Sequence, residues 1–271
     1  MAFPFPPTSS FGVARVGDKI VIAGGPVGQY HKYSQPHFTA AARVLDIPSW
    51  TWSEIRPYGA PFATDAGGEE GMPVQGLRLV EHDGDVFGFG GFAYEKCLAF
   101  DPPGNDYFRW YARSRTEIFK YSFSKDEWSF VSHLPRARSS YVAGKLGDSV
   151  FLIGGWDGTP MCREDFYGRF YQALEVFDLK TMQVIPSELS IQGALRRAFT
   201  STVLEKRLVV AGGLGVATSE DQEGPRFNIV QSFDPSSEQP WSYLPELPFC
   251  LFSPAICAVE GTLVVVGGSK L

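Results

Sequence analysis

A pair of adjacent glycines closes an apolar run five times along this chain. The runs are GDKIVIAGG ending at Gly24-Gly25, GDVFGFGG at Gly90-Gly91, GDSVFLIGG at Gly154-Gly155, EKRLVVAGG at Gly212-Gly213 and GTLVVVGG at Gly267-Gly268. The first glycine of each pair stands at 24, 90, 154, 212 and 267, so successive units are 66, 64, 58 and 55 residues apart. Recurrence of one pattern at related spacings marks a repeat architecture, in which each unit buries its apolar face against the next. Unbroken Val, Ile, Leu and Phe before the glycines read as a strand covered on both faces. The glycines let the backbone turn sharply where a Cβ would clash.

Each run follows a turn signal: Gly17-Asp18, Asp83-Gly84-Asp85, Gly147-Asp148, Glu205-Lys206 and Glu260-Gly261. A short alternating strand precedes that turn, as in Ser140-Tyr141-Val142-Ala143 and Thr200-Ser201-Thr202-Val203. Every unit therefore opens with a hairpin. A second hairpin follows in the first four units, with an apolar strand, an acidic turn and often a Trp: Ala42 to Trp52, Glu117 to Trp128, Ala173 to Val184, and Asn228 to Trp241. Two hairpins make one four-stranded antiparallel sheet, the blade of a propeller. Trp128 and Trp241 are expected to fill space between blades.

These residues resemble the kelch repeat: a double glycine ending the second strand, an aromatic followed by Asp, a Trp after a short turn, and often Pro and Arg before the next unit. Leu134-Pro135-Arg136-Ala137-Arg138 and Leu244-Pro245-Glu246-Leu247-Pro248 fit that last feature. The resemblance spans about residues 11 to 268. The expected fold is all-β: a single kelch-type β-propeller domain over 1–271, with four-stranded antiparallel blades at 11–58, 75–131, 138–186 and 197–244 and a partial one at 251–268. About five blade positions are expected, the last incomplete. Such a chain is an open propeller, one completed by another chain through self-association, or a piece of a longer protein.

Repeats that differ in length differ mostly in loops on one face. The long loops here follow the double glycines, at roughly 26–41, 92–115, 156–171 and 214–228. They carry Tyr30, His31 and Tyr33 in the first; Tyr107, Arg109, Trp110 and Arg113 in the second; Trp156, Asp157, Arg163, Tyr167 and Arg169 in the third; and Arg226 in the fourth. Aromatic and Arg side chains are those enriched at interface hot spots. The long-loop rim is thus read as a binding surface for a protein partner. Cys97 to Trp110 imitates an outer hairpin and is expected to form an extra strand pair.

A net charge of −6 argues against a nucleic-acid partner, which needs a basic face. No apolar run reaches the roughly 18 residues of a membrane span, and the N-terminus MAFPFPPTSS has no charged region followed by a continuous apolar one. The chain reads as cytoplasmic, with a peroxisomal alternative through the C-terminal Ser269-Lys270-Leu271. The cysteines Cys97, Cys162, Cys250 and Cys257 form no CxxC pair and read as buried free thiols.

No cofactor or metal is implied. Two of the four histidines, His31 and His37, share a loop but lack an evident third ligand. No GxSxG, HExxH or P-loop appears, so no catalytic residue is assigned. Because some kelch-like propellers are oxidases, epimerases or specifier proteins, the alternative is a small-molecule enzyme at an Arg- and aromatic-lined mouth. Arg109, Arg113, Arg163 and Arg169 are the residues suited there to an anionic ligand.

Overall fold

The expected hairpins form, strand by strand. A computed structural model describes residues 5–28, 37–60, 71–96, 110–158, 168–216 and 224–269. The first blade is β1 (Gly12–Val16), β2 (Lys19–Ala23), β3 (Ala42–Asp46) and β4 (Thr51–Ile55), paired in that order. In the second, β5 (Arg78–His82) and β6 (Asp85–Phe89) continue after β7 (Phe92–Lys96) and β8 (Trp110–Ser114) into β9 (Glu117–Ser122) and β10 (Glu127–His133). Its order is β5-β6-β9-β10, and β7 pairs with β8 as a separate two-stranded ladder. β10 ends two residues beyond the expected boundary, with a register shift between Phe130 and Ser132.

The third blade is β11 (Val142–Leu146), β12 (Ser149–Ile153), β15 (Glu175–Asp178) and β16 (Gln183–Ile185). Short strands β13 (Trp156–Asp157) and β14 (Arg169–Phe170) lie in its long loop. The fourth is β17 (Thr200–Leu204), β18 (Arg207–Ala211), β19 (Val230–Phe233) and β20 (Trp241–Leu244). The last element is the hairpin β21 (Ala255–Val259) and β22 (Thr262–Val266). Every strand pair in the four complete sheets is antiparallel.

Two compact units divide the chain: Met1–Ser139 with Asp157–Gly168, and Ser140–Trp156 with Arg169–Leu271. Each has its own core. In the first unit, Val21, Tyr58, Val74, Leu77, Phe119, Tyr121 and Trp128 are buried together. In the second, Ile153, Phe199, Leu208, Val210, Phe233 and Trp241 do the same. The middle strands β6, β12 and β18 are buried almost throughout, as their unbroken apolar runs required.

One position links the outer hairpins of all four blades. Leu45 faces Trp52, Tyr121 faces Trp128, Phe177 faces Val184 and Phe233 faces Trp241. Where the residue is a buried Trp, its indole reaches the segment leaving the preceding blade. Trp128 Nε1 donates to the Arg56 carbonyl at 2.9 Å, and Trp241 Nε1 to that of Ser190 at 2.8 Å. The expected core roles of Trp128 and Trp241 hold: they are 0% and 9% exposed.

The outer turns open on an aspartate in three blades. The Ser49 hydroxyl and N–H both donate to Asp46, the Thr181 N–H and hydroxyl to Asp178, and the Ser236 hydroxyl and N–H to Asp234. These bonds hold all three carboxyls below the usual range: mainly the Ser49 hydroxyl for Asp46, the Thr181 N–H for Asp178 and the Ser236 hydroxyl for Asp234. A depressed folded-state value contributes stability above the ordinary carboxylate range of about 4, lost as pH falls through the lowered values. Thermal midpoints are expected to fall below about pH 4, and a triple Asp46→Asn, Asp178→Asn, Asp234→Asn variant to show a shallower fall.

The cysteines depart from expectation. Cys250 and Cys257 are free but exposed. Cys250 lies in the linker to the last hairpin, and Cys257 lies on the face of β21 that no described residue covers. Cys97 and Cys162 lie outside the described residues.

Candidate functional site

The double glycines build one end of each blade. Fourteen residues before the first glycine of every pair stands a residue with left-handed backbone: Ser10, Gly76, Ser140, Ala198 and Ser253, with φ between 49° and 63°. Where both partners lie in one unit, these residues are joined by backbone hydrogen bonds. Gly76 N–H donates to Ser10 at 2.8 Å, Ala198 to Ser140 at 2.7 Å and Ser253 to Ala198 at 2.6 Å.

The second glycine then ties the start of its long loop to the linker that follows its blade. Gly25 N–H donates to the Val74 carbonyl at 2.6 Å, Gly91 to Arg138 at 3.1 Å, Gly155 to Arg196 at 2.9 Å and Gly213 to Leu251 at 2.8 Å. The first glycine must also be bare: a Cβ on Gly24 would lie 2.5 Å from the Val74 oxygen. The double glycine is thus required by backbone meeting backbone, beyond the need to turn. The long loops rise from a frame of main-chain hydrogen bonds.

In the first unit, the β7–β8 ladder runs from Phe92 opposite Ser114 to Lys96 opposite Trp110. This ladder flanks the Cys97 to Trp110 stretch, and the strand pair expected within that stretch lies outside the described residues. The ladder base is buried at Phe92 and Ser114. Ser114 Oγ accepts the Gly158 N–H at 3.0 Å, which brings together the bases of the second and third long loops. Beside it, buried Arg115 pairs with Glu117 at 2.7 Å.

In the second unit, two consecutive arginines precede β17. Arg196 is 1% exposed; its Nη1 donates to the Gly212 carbonyl at 3.0 Å and its Nη2 to the Gln231 side-chain oxygen. Gln231 in turn donates to the Gln192 carbonyl at 3.0 Å. Burial lowers the Arg196 pKa to about 10, so it remains a cation at neutral pH, stacked 5.1 Å from the Phe199 ring centre.

Arg197, one residue on in extended chain, points the other way. Its guanidinium lies 4.7 Å over the Trp156 ring. Its backbone bridges Leu214, which bridges Arg226, and the Arg226 guanidinium lies 5.9 Å from the Phe252 ring. Paired residues on adjacent strands share a face, so Arg197 and Arg226 flank Leu214 on one side, each against an aromatic ring.

Of the residues singled out from sequence, Tyr30, His31, Tyr33, Tyr107, Arg109, Arg163 and Tyr167 lie outside the described residues. Trp110 begins β8. Arg113 and Arg169 are exposed, while Asp157 and Arg226 are half-buried. Trp156 is buried, a platform for Arg197 more than a contact surface. Sequence reading missed Arg196, Arg197, Phe252 and Ser114. A signal existed for three of them: Arg196, Arg197 and Phe252 sit one or two residues before the left-handed position, which aligning the units by their glycines would have exposed.

No protein-family model matches the chain. It is 24% identical over 154 residues to beta-scruin of Limulus polyphemus, covering 56% of this chain and 15% of that one. It is 25% identical over 160 residues to kelch repeat and BTB domain-containing protein 12 of Homo sapiens, covering 56% and 25%. It is 24% identical over 286 aligned positions to an N-(sulfonatooxy)prop-2-enimidothioate sulfolyase of Thlaspi arvense, covering 98% and 71%. The chain thus spans a quarter or less of the first two relatives and most of the third. Among solved structures, that of YjhT matches 98% of this chain with a TM-score of 0.69 at 15% identity, covering 73% of its own length. Five double-glycine hairpins and four antiparallel four-stranded blades give the chain the β-propeller fold, and its repeats are similar to those of kelch proteins.

Proposed function

We propose that the chain is a binding module that holds a protein partner on the long loops that follow its double glycines. The observation behind this reading is the joined base of two long loops, Ser114 Oγ on Gly158 N–H, above a frame of glycine N–H bonds. Contact residues are best presented from such a rigid support, because less ordering is left for binding. The chemistry of the loops agrees: Trp110, Arg113 and Arg169 are residue types that dominate interface energetics. The kelch relatives suggest the same kind of module.

Single alanine substitutions at Trp110, Arg113 and Arg169 are expected to reduce partner capture from the native source by roughly tenfold or more, with thermal unfolding unchanged. Lys180→Ala, on an outer turn away from the double glycines, is the control and leaves capture intact. Equal capture by all four variants rules out the long-loop surface.

A second reading is favoured by the Thlaspi relative, whose name gives a sulfonated substrate and whose alignment spans 98% of this chain. Arg197 and Arg226, whose backbones both bridge to Leu214, would then receive an anionic group of a small molecule. This predicts that an organic sulfate raises the thermal midpoint of the protein, and that Arg197→Ala abolishes the rise. An unchanged midpoint in the presence of the sulfate rejects it.

A further inference from the structure

β20 is the outermost strand of the fourth blade and pairs with β19 alone among the described residues. Trp241 and Tyr243, two apart in that strand, face the same side. That side meets the linker from the third blade. Trp241 Nε1 donates to the Ser190 carbonyl, and the Tyr243 hydroxyl stands at Gly193, where an added Cβ would lie 2.8 Å from it. Gln231, directly opposite Tyr243, holds the same linker twice, through the Gln192 carbonyl and the Arg196 guanidinium.

Packing does not call for the Tyr243 hydroxyl. Its counterpart in the second blade, two residues after buried Trp128 and opposite Phe119, is Phe130, an aromatic ring without one. Tyr243 is 59% exposed, and its hydroxyl bonds to no described residue.

Beside this hydroxyl are donors without acceptors. The N–H groups of Gly193, Ala194 and Leu195 reach no described acceptor, in a bend that Gly193 turns with φ of 80°. Three residues on, Arg196 is 1% exposed; Nη1 and Nη2 are bonded while the buried Nε has no partner. Tyr243 and Arg196 are close enough to interact through charge. A phosphoryl group set among such donors gains charge-assisted hydrogen bonds.

We propose that Tyr243 is a phosphorylation site for a protein tyrosine kinase, its phosphoryl group settling on the Gly193 bend beside Arg196. The exposed hydroxyl lies on an edge strand, whose unpaired backbone can pair with another chain such as a kinase. In the reaction the phenol oxygen bonds to the γ-phosphorus of ATP, the bond from that phosphorus to the bridging oxygen breaks to release ADP, and the phenol proton passes to water. The product fastens β20 to the linker that carries Arg197, and so stiffens the base from which Arg197 reaches the Trp156 ring.

The test treats the intact 271-residue protein with a broad-specificity tyrosine kinase and magnesium ATP. Peptide mapping by mass spectrometry is expected to place phosphate on Tyr243. Phosphorus NMR then titrates that group, assigned by the loss of its signal in Tyr243→Phe. Its second ionisation is expected below the ordinary value of about 6, because Arg196 and the bend favour the dianion. Unfolding the phosphorylated protein in urea is expected to return the ionisation to about 6. No phosphate on Tyr243 under conditions that modify the unfolded chain overturns the proposal, as does an ionisation that unfolding leaves unmoved.

Discussion

Trp128→Ala is expected to cost about 4 kcal/mol of stability, read as a lowered urea midpoint. The indole is fully buried, with the Tyr58 ring 4.9 Å away and the Tyr121 ring 5.1 Å away. Its Nε1 satisfies the Arg56 carbonyl, in the segment where the chain leaves the first blade. The same segment is bound a second time, because Asp126 accepts the Arg56 N–H at 2.9 Å and the Tyr121 hydroxyl at 2.7 Å. Burial and this carboxylate push the Tyr121 hydroxyl well above its usual pKa, so it stays a donor. Alanine leaves a cavity that Tyr121 cannot close without giving up its bond to Asp126. Trp128→Phe restores most of the volume but strands the Arg56 carbonyl, and is expected to cost about 1–3 kcal/mol. If Phe and Ala cost the same, cavity volume is not what decides the loss.

Gly24→Ala is the second large effect, at about 3 kcal/mol, against about 1 kcal/mol for Gly17→Ala in the same hairpin. Both glycines have left-handed backbone, with φ of 70° and 55°. Nothing lies within 4 Å of a Cβ built on Gly17, so that substitution carries only the backbone penalty. A Cβ on Gly24 would meet the Val74 oxygen at 2.5 Å and the Leu77 side chain at 2.9 Å. Val74 and Leu77 are fully buried, so neither gives way easily. The two variants unfolded in urea side by side measure the clash free of the φ term; equal midpoints would show that turning alone explains the repeat.

The blades were legible because their signals are local. A two-residue turn between apolar runs fixes a hairpin whatever surrounds it, and alternation fixes its register. Even the fourth blade, whose turn Glu205-Lys206 has positive φ at both residues and no glycine, follows the pattern of its neighbours. The site was less legible because it is made by pairs distant in sequence. Nothing near Trp156 announces that Arg197 will lie over its ring, and nothing near Ser114 points to Gly158. Exposure was equally hidden: Cys257 sits in an apolar strand, Ala255–Val259, and is nonetheless exposed.

The β7–β8 ladder returns the chain to where it departed, since Lys96 and Trp110 are direct cross-strand partners. Its foot is fastened by the Gln75–Phe92 bridge and by the Ser114 bond to Gly158. An insert whose two ends meet this pair can therefore be spliced between those two residues with the blade's own registers kept. The second repeat is a ready port for displaying a peptide or an enzyme on this scaffold.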